Sequence, residues 1–132
     1  MSSNWVEDIR YMQSVYGVHT VVDDMDKDKL HKYLEFRTNF LQEELDELKQ
    51  AMGDQDQVEI LDALLDIVVV TIGAMHSMGA DAEGGWKEVM KTNFAKVDKE
   101  TGKVRKREDG KVLKPVGWTP PNLSPFTSKD IK

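Results

Sequence analysis

The residues of this chain best suited to chemistry are carboxylates. Glu43, Glu44 and Glu47 crowd the run QEELDELK, and Glu59, Asp62 and Asp66 follow at three- and four-residue spacing. On an α-helix the second set falls within an arc of about 60°, and the first within about 100°. From Ile60 to Ala80 the sequence reads ILDALLDIVVVTIGAMHSMGA, in which Asp62 and Asp66 are the only charges if His76 is neutral. A helix apolar nearly all round is expected to be buried. A buried carboxylate must be protonated, paired or metal-bound. No Lys or Arg lies between Lys49 and Lys87, so no local ion pair is available and a cation is the economical partner. All-oxygen ligation favours Mg²⁺ or Mn²⁺ over Zn²⁺. A di-iron bundle would need Glu-x-x-His pairs, which His19, His31 and His76 do not supply. Mg²⁺ keeps waters and works with substrate phosphates, so the chemistry indicated is metal-assisted attack on a phosphoanhydride.

Two blander readings compete. EELDELK has ordinary i,i+4 charge pairing and could be a solvated helix face. The apolar run could be a membrane span, but each central Asp would cost about 2.5–3.5 kcal/mol. A third pattern, Asp24-x-Asp26-x-Asp28 with Glu35, imitates a calcium loop; Lys29 stands where its sharp turn requires Gly, so Asp26 or Asp28 is read as a helix N-cap.

The elements that must position these residues are helices. Trp5, Ile9, Met12 and Tyr16 recur at helical spacing behind Ser3 or Asn4, and Gly17 ends that helix. A second helix is expected over about 28–52, stopped by Gly53. A third runs over about 55–78, capped by Asp54 and closed by Gly79. A fourth begins after Asp81 and reaches about Val97, with Gly84 and Gly85 weakening its first turn. The short connection at Gly53-Asp54 favours antiparallel neighbours and sets the two acidic clusters opposite each other. Beyond Asp98 the turns Glu100-Thr101-Gly102 and Glu108-Asp109-Gly110 flank Lys103-Val104-Arg105 and Lys111-Val112-Leu113, a short hairpin or extended arm. Four prolines from Pro115 onward make the rest irregular.

The length predicts one domain over 1–132, with a helical core at about 4–97 and a basic tail at about 98–132. There are no cysteines, which removes disulfides and thiolate metal sites. The opening MSSNWVED has neither basic nor apolar leader character, so no signal peptide and a cytoplasmic location are expected. The net charge of -6 is unevenly spread: residues 1–90 hold 7 Lys/Arg against 19 Asp/Glu, and residues 91–114 hold 9 against 4. An acidic body before a basic segment suits an anionic ligand bridged by cations.

Glu43-Glu44-x-x-Glu47 followed by Glu59-x-x-Asp62 resembles the EExxE…ExxD signature of the MazG-like, all-α nucleoside triphosphate pyrophosphohydrolases. That superfamily includes dimeric dUTPases and phosphoribosyl-ATP pyrophosphohydrolase. Asp62-Ala63-Leu64-Leu65-Asp66-Ile67, the stretch Glu88 to Lys96 and the tail from Arg107 to Lys114 are similar to a short, single-domain, often phage-encoded subgroup. The resemblance implies an all-α four-helix bundle with a partly hairpin-like tail, assembling as a homodimer or homotetramer. It implies two or three Mg²⁺ per site on Glu43, Glu44, Glu47, Glu59 and Asp62, with Asp66 one turn beyond. It implies nucleotide contacts from Asn93 and Lys96, and an Arg at the position of Arg37. Asn39 departs from the basic residue common in relatives.

The expected reaction is hydrolysis of a (deoxy)nucleoside triphosphate to its monophosphate and pyrophosphate, with dGTP as one candidate and dUTP as another. A free oxygen of Glu43 or Glu44 would take the proton of the attacking water. Lys96, with Arg107, Lys111 or Lys114 from the tail, would neutralise the departing pyrophosphate. The competing role for Lys96 is a solvated helix end, and for the tail cations it is plain solvation. Trp118 is either a base-stacking platform or a pin for the tail. A different class of function, a non-catalytic nucleic-acid-binding helical module, would use the basic 91–114 segment, but Phe94 is its only aromatic residue and stacking platforms are scarce.

Overall fold

A computed structural model describes residues 4–18 and 25–129. They are all-helical, with four α-helices and no strand among the described residues: α1 (Trp5–Val15), α2 (Lys27–Gly53), α3 (Gln57–Ser77) and α4 (Ala82–Phe94), followed by a short 3₁₀ turn at Ser124–Phe126. The described residues divide into two compact units, 4–82 with 128–129, and 83–127. The boundary falls inside the stretch that the periodicity reads as one helical core.

The first unit contains α1, α2 and α3. Asn4 caps α1, its side chain accepting from the Glu7 amide. Asp26 caps α2 through the Lys29 amide, which settles the cap left open between Asp26 and Asp28. Asp24, the first residue of the calcium-loop imitation, lies outside the described residues, as do Ser3 and His19.

The turn between α2 and α3 sits two residues later than the sequence suggests. Gly53 does not stop α2; it is its last helical residue, and Asp54 is the C-cap. Gln55 takes a left-handed φ of 55°, and Asp56 rather than Asp54 caps α3, accepting from the amides of Val58 and Glu59 at 3.1 Å each. The reason is hydrogen-bonding: Asp56 is the acid two and three residues ahead of those orphan amides. This turn fixes the register. Glu44 and Asp66 each lie eleven residues from Gln55, so the antiparallel pair brings them level.

α3 packs chiefly on α2, and α1 lies on α3. The core is thin: Ile9, Met25, Ala51, Ala63 and Ile72 are its buried apolar members. Here α3 departs from the sequence expectation. Ala63, Ile72, Gly73 and Ser77 are buried, but Val58 (75%), Leu61 (59%), Leu64 (46%) and Leu65 (43%) are exposed. Two neighbouring helices cover one side of α3 within this unit and leave the other bare. No helix among the described residues is long and apolar enough to cross a membrane.

The second unit is α4 with the tail folded on it. α4 ends at Phe94, three residues short of the expected Val97. The hairpin forms around Glu108-Asp109-Gly110 as one antiparallel bridge, Lys106 with Val112. The flanking bonds run from the Arg107 amide to the Lys111 carbonyl and from the Leu113 amide to the Arg105 carbonyl. The paired segment is therefore 105–107 rather than 103–105.

Candidate metal centre

Glu44 and Glu47 lie one turn apart on α2, and Asp66 faces them from α3. Each offers a carboxylate oxygen, and the three oxygens lie within 4.8 Å of one another. None is in an ion pair among the described residues, where the pairs present are His31–Glu35 and Arg107–Asp109. Glu44 is half-buried, and its Oε2 is closed off from solvent without a hydrogen-bond partner.

The electrostatics follow from this crowding. Burial, then the charges of Glu47 and Asp66, then a hydrogen bond that the protonated Glu44 donates to Glu47, and the charge of Glu43, push the Glu44 carboxyl above its ordinary 4.5. Burial, then Asp62 and Glu47, push Asp66 above its ordinary 3.8. Like charges at this range disfavour full ionisation.

The remaining acids fall around this group rather than in it. Glu43, Glu59 and Asp62 are exposed and outside the three-oxygen cluster. Glu43 and Asp62 are near enough to act on Glu44 and Asp66. Of the three acids on α3, Asp66 alone is withdrawn from solvent, to half-burial, whereas Glu59 and Asp62 are exposed. A shallow depression of about 300 Å³ runs along α2, lined by His31, Leu34, Glu35, Thr38 and Asn39, and is separate from the carboxylates.

Arg37 is half-buried and engaged within the first unit. Its Nε donates to the Tyr33 hydroxyl at 2.7 Å, its Nη2 to Ser77 Oγ at 3.2 Å, and its guanidinium lies 5.6 Å from the Tyr33 ring centroid. Next to it, buried Gln13 on α1 donates from Nε2 to the Gly73 carbonyl at 3.2 Å. Sequence reasoning missed Gln13, Tyr33, Gly73 and Ser77. Uncharged polar residues give no charge pattern; the available signal was a glycine in a helix interior, which runs against propensity.

In the second unit the structure gathers Lys96, Lys114 and Trp118. The ammonium groups lie 5.4 and 4.9 Å from the indole centroid, and the indole N–H donates to the Thr92 carbonyl at 2.7 Å. Trp118 thus pins the tail to the end of α4. Asn93 and Lys111 are exposed, and Arg107 is bound to Asp109 at the hairpin tip.

The all-helical described residues, with an acidic cluster between two antiparallel helices, fit the MazG-like, all-α pyrophosphohydrolases. Residues 8–93 match the phosphoribosyl-ATP pyrophosphohydrolase family, and the chain belongs to it. That span holds the whole acidic cluster and nearly all of α1 to α4, and it stops before the basic tail. Membership supports pyrophosphohydrolase activity as the general chemistry. No curated protein matches the chain.

Proposed function

We propose that this chain hydrolyses a nucleoside or deoxynucleoside triphosphate to its monophosphate and pyrophosphate in the presence of Mg²⁺, with Mn²⁺ as a substitute. The observation that carries this reading is the convergence of Glu44, Glu47 and Asp66 with an unpartnered buried oxygen. These three are the proposed first ligands. Glu43, Glu59 and Asp62 are proposed to complete a site of two or three ions. Bound there, the metal would neutralise phosphate charge and make a bound water more acidic. Glu43, exposed beside Glu44, is the proposed acceptor of that water's proton. The water oxygen bonds to the α-phosphorus, the α–β bridging P–O bond breaks, and its electron pair leaves with pyrophosphate.

Lys96 and Lys114, with Asn93 and Lys111, are the proposed phosphate-contacting groups of residues 83–127. Arg37 is the proposed contact on α2. Its two described hydrogen bonds, to the Tyr33 hydroxyl and Ser77 Oγ, would orient the guanidinium for that contact. The exposed stripe of Val58, Leu61 and Leu65 supports a homodimer or homotetramer. dGTP and dUTP are candidate substrates, and the family's name adds phosphoribosyl-ATP.

The test is a product assay over the eight common NTPs and dNTPs and phosphoribosyl-ATP, with Mg²⁺ or Mn²⁺. The expected result is pyrophosphate release from at least one, lost by more than about 100-fold in Glu44→Ala and Asp66→Ala. Wild-type rates in both variants would remove the metal assignment.

A further inference from the structure

We propose that the basic hairpin of residues 103–114 binds double-stranded DNA through its phosphates, without reading sequence. This is a second function, and it does not depend on triphosphate hydrolysis.

The hairpin concentrates positive charge. The run KVRKREDGKVLK holds six Lys/Arg against two Asp/Glu, in a chain whose net charge is -6. All six cations are exposed. Asp109 is taken up at the tip, where it accepts from Arg107 Nε at 3.0 Å and from the Lys111 amide at 3.1 Å. Arg107 with Asp109 is the hairpin's one ion pair among the described residues. Charges farther than about 8 Å are largely screened at physiological salt, so the local excess governs contact with a polyanion. The hairpin lies beyond residue 93, where the family match ends.

The register arranges that charge on one side. Lys106 bridges Val112, the Arg107 amide donates to the Lys111 carbonyl at 2.7 Å, and the Leu113 amide donates to the Arg105 carbonyl at 2.8 Å. Side chains alternate along an extended chain, and cross-strand partners share a side. Arg105, Arg107, Lys111 and Leu113 therefore share one side, and Lys103 precedes them at the same spacing. On the other side, Val104 and Val112 are half-buried. Residues two apart along the first strand are about 7 Å apart, comparable to neighbouring phosphates on one strand of a duplex. Arg107 and Lys111 stand directly opposite each other, and like charges so placed destabilise a strand pair. Asp109 offsets this only from the side of Arg107; a bound phosphate offsets it from both.

The surface is held ready for a partner. Gly110 closes the tip with a φ of 90°, and its amide donates to the Arg107 carbonyl at 2.9 Å. At the other end Lys114 lies 4.9 Å from the centroid of the Trp118 indole, which is itself bonded to the Thr92 carbonyl. A preformed surface loses less freedom on binding.

The chemistry favours a DNA duplex. Residues 103–114 include no aromatic side chain, and sequence-tolerant binding of single strands relies on stacked bases. What the hairpin offers is cations at phosphate spacing. The major groove of B-form DNA admits a two-stranded ribbon, whereas that of A-form RNA is deep and narrow.

The test is fluorescence anisotropy of a mixed-sequence DNA duplex of about two helical turns with the full chain. Chelator is present, so that no metal at the carboxylates bridges to DNA phosphates. Micromolar binding is expected at about 50 mM salt, weakening on the order of 100-fold by about 200 mM, as four neutralised phosphates require. Unrelated duplex sequences should bind alike. In Lys103→Ala with Arg105→Ala the logarithmic salt dependence should fall by about half. Both residues enter the hairpin's described hydrogen bonds through backbone atoms alone, so the pairing survives the change. Lys103→Arg with Arg105→Lys keeps the charge and should bind as the wild type does. No binding at about 50 mM salt, or a salt dependence unchanged in the double-alanine variant, overturns the proposal. Loss of binding in the charge-conserving variant overturns it as well, as does tighter binding of single-stranded DNA or double-stranded RNA of the same length. Binding to phosphatidylserine vesicles with none to the duplex would make the hairpin a membrane-surface contact and also overturn it.

Discussion

Glu44 and Asp66 have their carboxyls raised for the same first reason, burial, and for a shared second one, neighbouring carboxylates. The sign of the consequence is fixed. A raised folded-state value means that the metal-free fold holds protons more tightly than the unfolded chain. That stability is fully present below the ordinary values of 3.8 and 4.5, and is lost as pH rises from there through the folded-state values. Thermal melts in chelator should show a falling Tm over this interval, a fall that Asp66→Asn reduces and that Mg²⁺ or Mn²⁺ suppresses. A wild-type profile identical to that of Asp66→Asn, or untouched by metal, contradicts the cluster. At this scale the sequence was informative about type and less so about membership. Six acids stand out in the sequence as candidate ligands, but their grouping depends on which carboxylates meet across two helices. That depended in turn on a turn centred on Gln55, which the sequence reading set two residues early.

The four α-helices were legible because apolar periodicity and caps mark them directly: Asn4 and Asp26 are both observed caps. What periodicity could not deliver was the coverage of each face. α3 reads as apolar all round, yet exposes Val58, Leu61 and Leu64, because burial depends on how many neighbours surround a helix. In the tail, composition left Trp118 open between stacking platform and pin. The indole bond to Thr92 and the two flanking ammoniums show the pin. Trp118→Ala removes the hydrogen bond and both cation–π contacts, worth together about 1–3 kcal/mol. Amide exchange at Asn122 and Phe126, whose N–H groups bond to Glu88 and Leu123, should accelerate, with Trp118→Phe intermediate. Unchanged exchange in Trp118→Ala would show that the tail is held by something else.

At the scale of the whole molecule, a thin core and a bare stripe on α3 argue for a second copy of the chain. Burying Leu and Val side chains of this size contributes about 1.5–3 kcal/mol each. Sedimentation should give a species larger than the 15.0 kDa chain, and Leu61→Asp with Leu65→Asp should shift it towards the monomer. A wild-type monomer at micromolar concentration would leave the stripe without its proposed cover. The central claim is that water attacks the α-phosphorus of a nucleotide at the Glu44–Glu47–Asp66 cluster. Turnover in ¹⁸O-labelled water with Mg²⁺, read by mass spectrometry of both products, tests it most directly. Attack at the α-phosphorus puts one labelled oxygen in the nucleoside monophosphate and none in pyrophosphate. Label in pyrophosphate, or release of orthophosphate in its place, would contradict it.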